Sequence, residues 1–91
     1  MADINELRAE IEKIDSDMIE LFKKRMKISS EIAEYKRQNN IQVLDKNREK
    51  VLIEKNLAVL NDKELEEYYT EFFEGMLKAS KDYQKSKLEK K

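Results

Sequence analysis

The chain of 91 residues has no cysteine, no histidine, no proline and a single glycine. Each absence removes a class of function or fold. Without Cys there are no disulfides, thiol nucleophiles or soft-metal sites, and nothing points to an oxidising compartment. Without His there is no imidazole to move protons, so acid–base catalysis loses its commonest agent. With no Pro and one Gly the chain has little turn chemistry, which counts against a sheet-rich fold. Met1 is followed at once by Asp3 and Glu6 rather than by a basic segment and an apolar run, so no signal peptide is expected. No apolar stretch approaches the length of a membrane span, and the expected location is cytoplasmic. What the chain has in abundance is charge of both signs: 19 basic residues against 20 acidic ones, 43% charged, with 40% hydrophobic. That balance suits a soluble helical bundle with no general attraction to nucleic acid or membrane. Residues 1–91 are expected to form one domain, small enough that its own core is marginal.

The organising stretch runs from Ile4 to Tyr35. Ile4, Leu7, Ile11, Ile14, Met18, Leu21, Ile28, Ile32 and Tyr35 recur at steps of three and four, and the one seam position without an apolar residue is Arg25. Only an amphipathic helix has this period, and no Pro or Gly interrupts it. At about 1.5 Å per residue such a helix is a rod of roughly 50 Å, whereas a compact chain of this length has a radius of gyration of ~12 Å. The seam outruns its own globule, so the sequence predicts an obligate dimer in which a second copy covers it. Asp3 or Asn5 caps this helix, and Asn39-Asn40 ends it. Residues 41–44 read as a connection, and Asp45 as the cap of a second helix bearing Val51, Leu52, Ile53, Leu57 and Leu60. Asn61-Asp62 stops that helix and caps a third, where Asn61 and Glu64 have capping-box spacing. The third helix places Leu65, Tyr68, Tyr69, Phe72, Phe73, Met76 and Leu77 on one side and is expected to supply most of the core. Ser80 and Gln84 continue that face after the apolar residues stop. The fold class is therefore all-α, with three helices per chain, one of them very long, in an intertwined homodimeric bundle.

Among the polar residues, Arg25 stands out because removing a guanidinium from water without a partner is costly. Either it meets a carboxylate from the second helix or a partner chain, or it serves a ligand. Lys36 lies eleven residues further on, close to three full turns, so it points nearly the same way about 16 Å along the axis. Alone, it reads equally as a solvated residue at a helix end. Asp45, Arg48 and Glu49 share one face of the second helix, as a cap with a local ion pair or as part of a site. Ser80 and Gln84 are a turn apart and otherwise read as ordinary surface. Taken together these are cations and neutral hydrogen-bonding groups from three helices, with no metal cluster or nucleophile–base pair. Such a set suits binding a small dianion and stabilising charge in its transition state rather than abstracting a proton.

Arg8, Arg25, Lys36, Asp45, Arg48, Glu49, Ser80 and Gln84, with the opening Leu7-Arg8-x-x-Ile11-x-x-Ile14-Asp15, resemble the all-helical chorismate mutases. The likeness spans about residues 4 to 87. Position 44, often basic in those enzymes, is Leu here. The resemblance implies a cofactor-free and metal-free isomerase of phenylalanine and tyrosine biosynthesis, which turns chorismate into prephenate by a unimolecular Claisen rearrangement. It implies an intertwined dimer with two sites, each completed by the partner's Arg8. It also implies roles: Arg25 and the partner's Arg8 on the two carboxylates, Ser80 and Arg48 assisting, Lys36 and Gln84 on the ether oxygen, and Asp45 with Glu49 on the ring hydroxyl. Lys36, Gln84, Arg25 and Glu49 are the implied catalytic set. Two other readings stay open at this point: an isochorismate–pyruvate lyase of the same fold, and a non-catalytic helical module that senses chorismate or prephenate or only dimerises.

Overall fold

The computed structural model describes residues 3–43 and 45–89. Position 44 lies outside the described residues. Three α-helices follow one another: α1 (Ile4–Gln38), α2 (Lys46–Leu60) and α3 (Glu66–Glu89). Among the described residues there is no strand, as a chain so poor in Gly and Pro leads one to expect. α1 begins at Asp3, whose extended backbone lets its carboxylate accept the Glu6 N–H at 2.9 Å. It ends where Asn40 turns left-handed at φ 54°, with Lys36 and Arg37 in a last turn that favours cations. Asp45 starts α2 in the same way as Asp3 starts α1, accepting the Arg48 N–H at 3.0 Å.

The junction between α2 and α3 departs from the capping box expected of Asn61 and Glu64. Asn61 takes a left-handed conformation (φ 47°, ψ 47°) and closes α2, its N–H donating to the Leu57 carbonyl at 3.0 Å. A residue in that conformation cannot supply the extended backbone of an N-cap. Asp62 takes over instead, its carboxylate accepting the Glu64 N–H at 3.0 Å. Leu65 lies in the resulting turn, and α3 proper starts one residue later.

α3 packs against both other helices, while α1 and α2 make no close backbone approach to each other. Along α3 the buried positions are Phe73, Leu77, Ser80 and Gln84, at steps of four, three and four, which mark one face. On α1 the buried positions are Ser29 and Ala33, small residues that allow α3 to come close. Tyr69 stacks on Phe73 with ring centroids 5.7 Å apart, and its hydroxyl donates to Asn56 Oδ1 at 2.8 Å, which ties α3 to α2.

The chain is a rod with a thickened end. Its extents are 56 × 28 × 15 Å and its radius of gyration 16.4 Å, against ~12 Å for a compact chain of this length. The apolar seam of α1 is the reason. Ile4, Leu7, Ile11, Ile14, Met18 and Leu21 are 42–62% exposed. Met18, Ile19 and Phe22 of α1 form, with Tyr69, Phe72 and Met76 of α3, an open apolar groove of about 630 Å³.

Candidate functional site

At the thick end the three helices enclose a second cleft, of about 400 Å³. Each helix contributes a stripe at helical spacing. From α1 come Arg25, Ser29, Ile32 and Lys36; from α2 and its cap, Asp45, Arg48, Glu49 and Leu52; from α3, Leu77, Ser80, Lys81 and Gln84. The walls therefore hold four cations against two carboxylates. A small dianion entering this cleft meets an excess of positive charge in partly dry surroundings, where attraction is stronger than in water.

Within the cleft the side chains are unequally committed. Ser29 and Ser80 are both buried and share a hydrogen bond of 2.5 Å between their hydroxyls, which locks α1 to α3 at the floor. Lys36 Nζ donates to the Val43 carbonyl at 2.9 Å, so the connection between α1 and α2 holds the ammonium at the cleft. Arg25 meets no carboxylate among the described residues. Its guanidinium instead stands 5.7 Å from the centre of the Phe73 ring, a cation–π contact that leaves its N–H groups to other partners. Gln84 is 8% exposed, yet among the described residues its Oε1 has no hydrogen-bond partner. A buried amide oxygen left unpaired costs about 1–3 kcal/mol. Turning the amide over exchanges oxygen for NH₂, so a ligand here can be offered either an acceptor or a donor.

Of the eight residues singled out in the sequence, seven line this one cleft: Arg25, Lys36, Asp45, Arg48, Glu49, Ser80 and Gln84. Arg8 does not. It is exposed on the protruding part of α1, seventeen residues and about 25 Å of helix away from Arg25. Ser80 and Gln84 are buried rather than ordinary surface. Two polar lining residues escaped the sequence reading, Ser29 and Lys81. Ser29 follows Arg25 by four residues and precedes Lys36 by seven. Lys81 follows Leu77 by four and precedes Gln84 by three. That spacing was the available signal in both cases.

The model of the family "Chorismate mutase type II" matches residues 7–85. The chain belongs to this family. It is also 38% identical over 90 residues to a bifunctional chorismate mutase/prephenate dehydratase of Buchnera aphidicola subsp. Schizaphis graminum, an alignment covering 97% of this chain and 23% of that protein. The chain thus spans about a quarter of the length of the curated relative it matches. No solved structure matches it. In this member of the chorismate mutase family, no helix among the described residues is long and apolar enough to cross a membrane. Nor do they hold a group of three or more His, Cys, Asp or Glu placed to bind a metal ion.

Proposed function

We propose that the cleft binds chorismate and rearranges it to prephenate, so that the chain is a chorismate mutase. The observation that carries this reading is the convergence of Arg25, Lys36, Arg48, Ser80 and Gln84 from three helices on one cleft, in a chain of this family. The rearrangement is unimolecular: the ether C–O bond breaks as a C–C bond forms in the same molecule. It needs neither base nor nucleophile, which a chain without His or Cys can satisfy. Arg25 takes one carboxylate, with Ser80 and Arg48 around it. Lys36 and Gln84 face the ether oxygen, where negative charge grows as the bond breaks, so their donors act mostly on the transition state. Asp45 and Glu49 hold the ring hydroxyl, and the extended molecule is kept in its reactive diaxial shape. The Lys36 ammonium has three N–H donors, so one can stay on the Val43 carbonyl while another meets the ether oxygen.

The same reading includes a homodimer in the cytoplasm. A second copy covers the exposed seam of α1 and the open apolar groove beside it, and the Arg8 of the partner subunit completes the site by meeting the second carboxylate. Supporting this are the exposed apolar run from Ile4 to Leu21 and the distance that keeps Arg8 from the cleft of its own chain. The direct test is to follow chorismate by its ultraviolet absorbance in the presence of purified protein, and to repeat the measurement with isochorismate. Loss of chorismate with formation of prephenate is expected. Pyruvate release from isochorismate with no turnover of chorismate would make the protein a lyase. Tight binding without turnover of either would leave a sensing module.

A further inference from the structure

Lys81 lines the cleft, but the roles above give it nothing to do. Its Nζ stands 3.9 Å from Glu49 Oε2, and the two side chains are 27% and 30% exposed. The pairs Lys23–Glu20, Arg37–Glu34 and Lys78–Asp82 each join residues one turn apart on a single helix. Lys81–Glu49 instead joins α3 to α2 across the cleft. The nearest acid in sequence, Asp82, is adjacent to Lys81 and so points to another face, where Lys78 binds it at 2.8 Å. Among the described residues the other oxygen of Glu49 accepts no hydrogen bond.

We infer that Lys81 is a positioning residue that holds one oxygen of Glu49 so that the other is presented to the ring hydroxyl of the substrate. This rests on reading the cleft as a chorismate site. A free glutamate side chain loses rotamer freedom when a ligand fixes it, a cost that pre-organisation removes. The ring hydroxyl sits on the carbon beside the one that loses the ether oxygen, but neither of its own bonds is made or broken, and it stays neutral through the reaction. Holding it better therefore favours substrate and transition state alike, and shows in KM rather than in kcat.

The test is a kinetic cycle on the full chain: wild type, Lys81→Met, Glu49→Gln and the double variant, with Lys81→Arg as the conservative replacement. Lys81→Met should raise KM for chorismate about three- to fivefold, in keeping with a partly exposed ion pair, with kcat nearly unchanged, and Lys81→Arg should restore it. In the Glu49→Gln background the same change should do almost nothing, because coupled residues are not additive. An equal rise in KM in both backgrounds makes Lys81 an independent contact and overturns the inference. So does an unaltered KM accompanied only by a lower melting temperature, which makes the pair a clamp between helices. If Lys81→Met does not fold, Lys81→Gln against Lys81→Arg gives the same comparison. A wild-type chain that leaves chorismate untouched removes the reading of the cleft, and this role with it.

Discussion

The two halves of α1 differ in how far their own chain covers them. From Ile4 to Leu21 the large apolar residues of the seam lie open to solvent. From Arg25 to Lys36 the helix packs under α3, and the positions it buries are Ser29 and Ala33. Only the exposed seam runs against the usual expectation, since apolar side chains bury readily and polar ones only when bonded, as Ser29 is to Ser80. The difference bears on what each half is for. On the proposed reading of the cleft, the half from Arg25 to Lys36 is closed by its own chain because a site needs fixed donors in a partly dry cleft. On the same proposed reading the half from Ile4 to Leu21 is covered by a second copy, since a lone chain of this length cannot bury both.

The most severe way to break that division is to disable one half in each of two chains. Arg8→Ala and Lys36→Ala should each leave a folded protein with activity lowered about a hundredfold or more, the scale of losing one charge-stabilising donor. Unfolded together in equal amounts and refolded, they should recover about a quarter of wild-type turnover. Half the dimers pair one chain of each kind, and each of those carries one intact site of two. No recovery in confirmed mixed dimers would mean that Arg8 does not act across an interface.

A charge on the open half sharpens the contrast from the other side. Ile14→Asp changes a residue that is 56% exposed in the single chain, where such a substitution alters stability little. Beneath a second copy it buries an unpaired carboxylate, so sedimentation should show monomers and turnover should vanish. A dimer of normal activity would show that the seam is not the interface.

In the cleft above the closed half, Gln84 of α3 is proposed to set the response to pH. An amide does not titrate, and the chain has neither His nor Cys, the side chains that change charge nearest neutrality. Turnover should therefore vary little between about pH 6 and 8. Gln84→Glu should move the optimum to acid, because the carboxyl group must be protonated to donate. A steep fall in wild-type turnover over that range, in protein that stays folded, would remove Gln84 from its assigned place.

Away from both halves the effects become small. Gly75 lies within α3, and a Cβ placed on it meets nothing within 4 Å. Gly75→Ala should raise stability by about 0.5–1 kcal/mol in denaturant unfolding, and a loss of stability would reveal a neighbour pressed against that face. On the exposed side of α3, the hydrogen bond with Lys78 holds the Asp82 carboxyl below its usual range, and the bond with Asp82 raises the Lys78 ammonium above its own. For Asp82 the contribution is present above the ordinary carboxylate value and is lost as pH falls through the lowered one. The slight difference in melting temperature between Asp82→Asn and wild type should thus disappear in acid.

Most of the architecture was legible in the residues. A step of three and four sustained over more than eight turns admits one structure, and Asp3 and Asp45 stand where the periods begin, so α1 and α2 start as the sequence says. The junction at Asn61 was harder to read, because asparagine serves both as an N-cap and in the left-handed position that ends a helix. The local sequence does not choose between them. In the cleft, Arg25 was conspicuous as a charge inside an apolar seam. Lys81 was hidden by its company, one lysine among the charged residues from Lys78 to Lys87, and only the fold distinguishes it by bringing Glu49 opposite.

The exposed seam of α1 also bears on how quickly a working molecule can form. Helix formation and the docking of α3 onto Ser29 and Ala33 are events within one chain, with rates indifferent to concentration. The proposed completion of a site with an arginine from another chain would be a meeting of two molecules. On refolding, helical signal should therefore return in a first-order phase at any dilution, while turnover should return in a second-order phase that slows as the protein is diluted. Between the two phases stands a chain with its secondary structure formed and a row of isoleucines and leucines still in water, the interval in which misassembly competes with pairing.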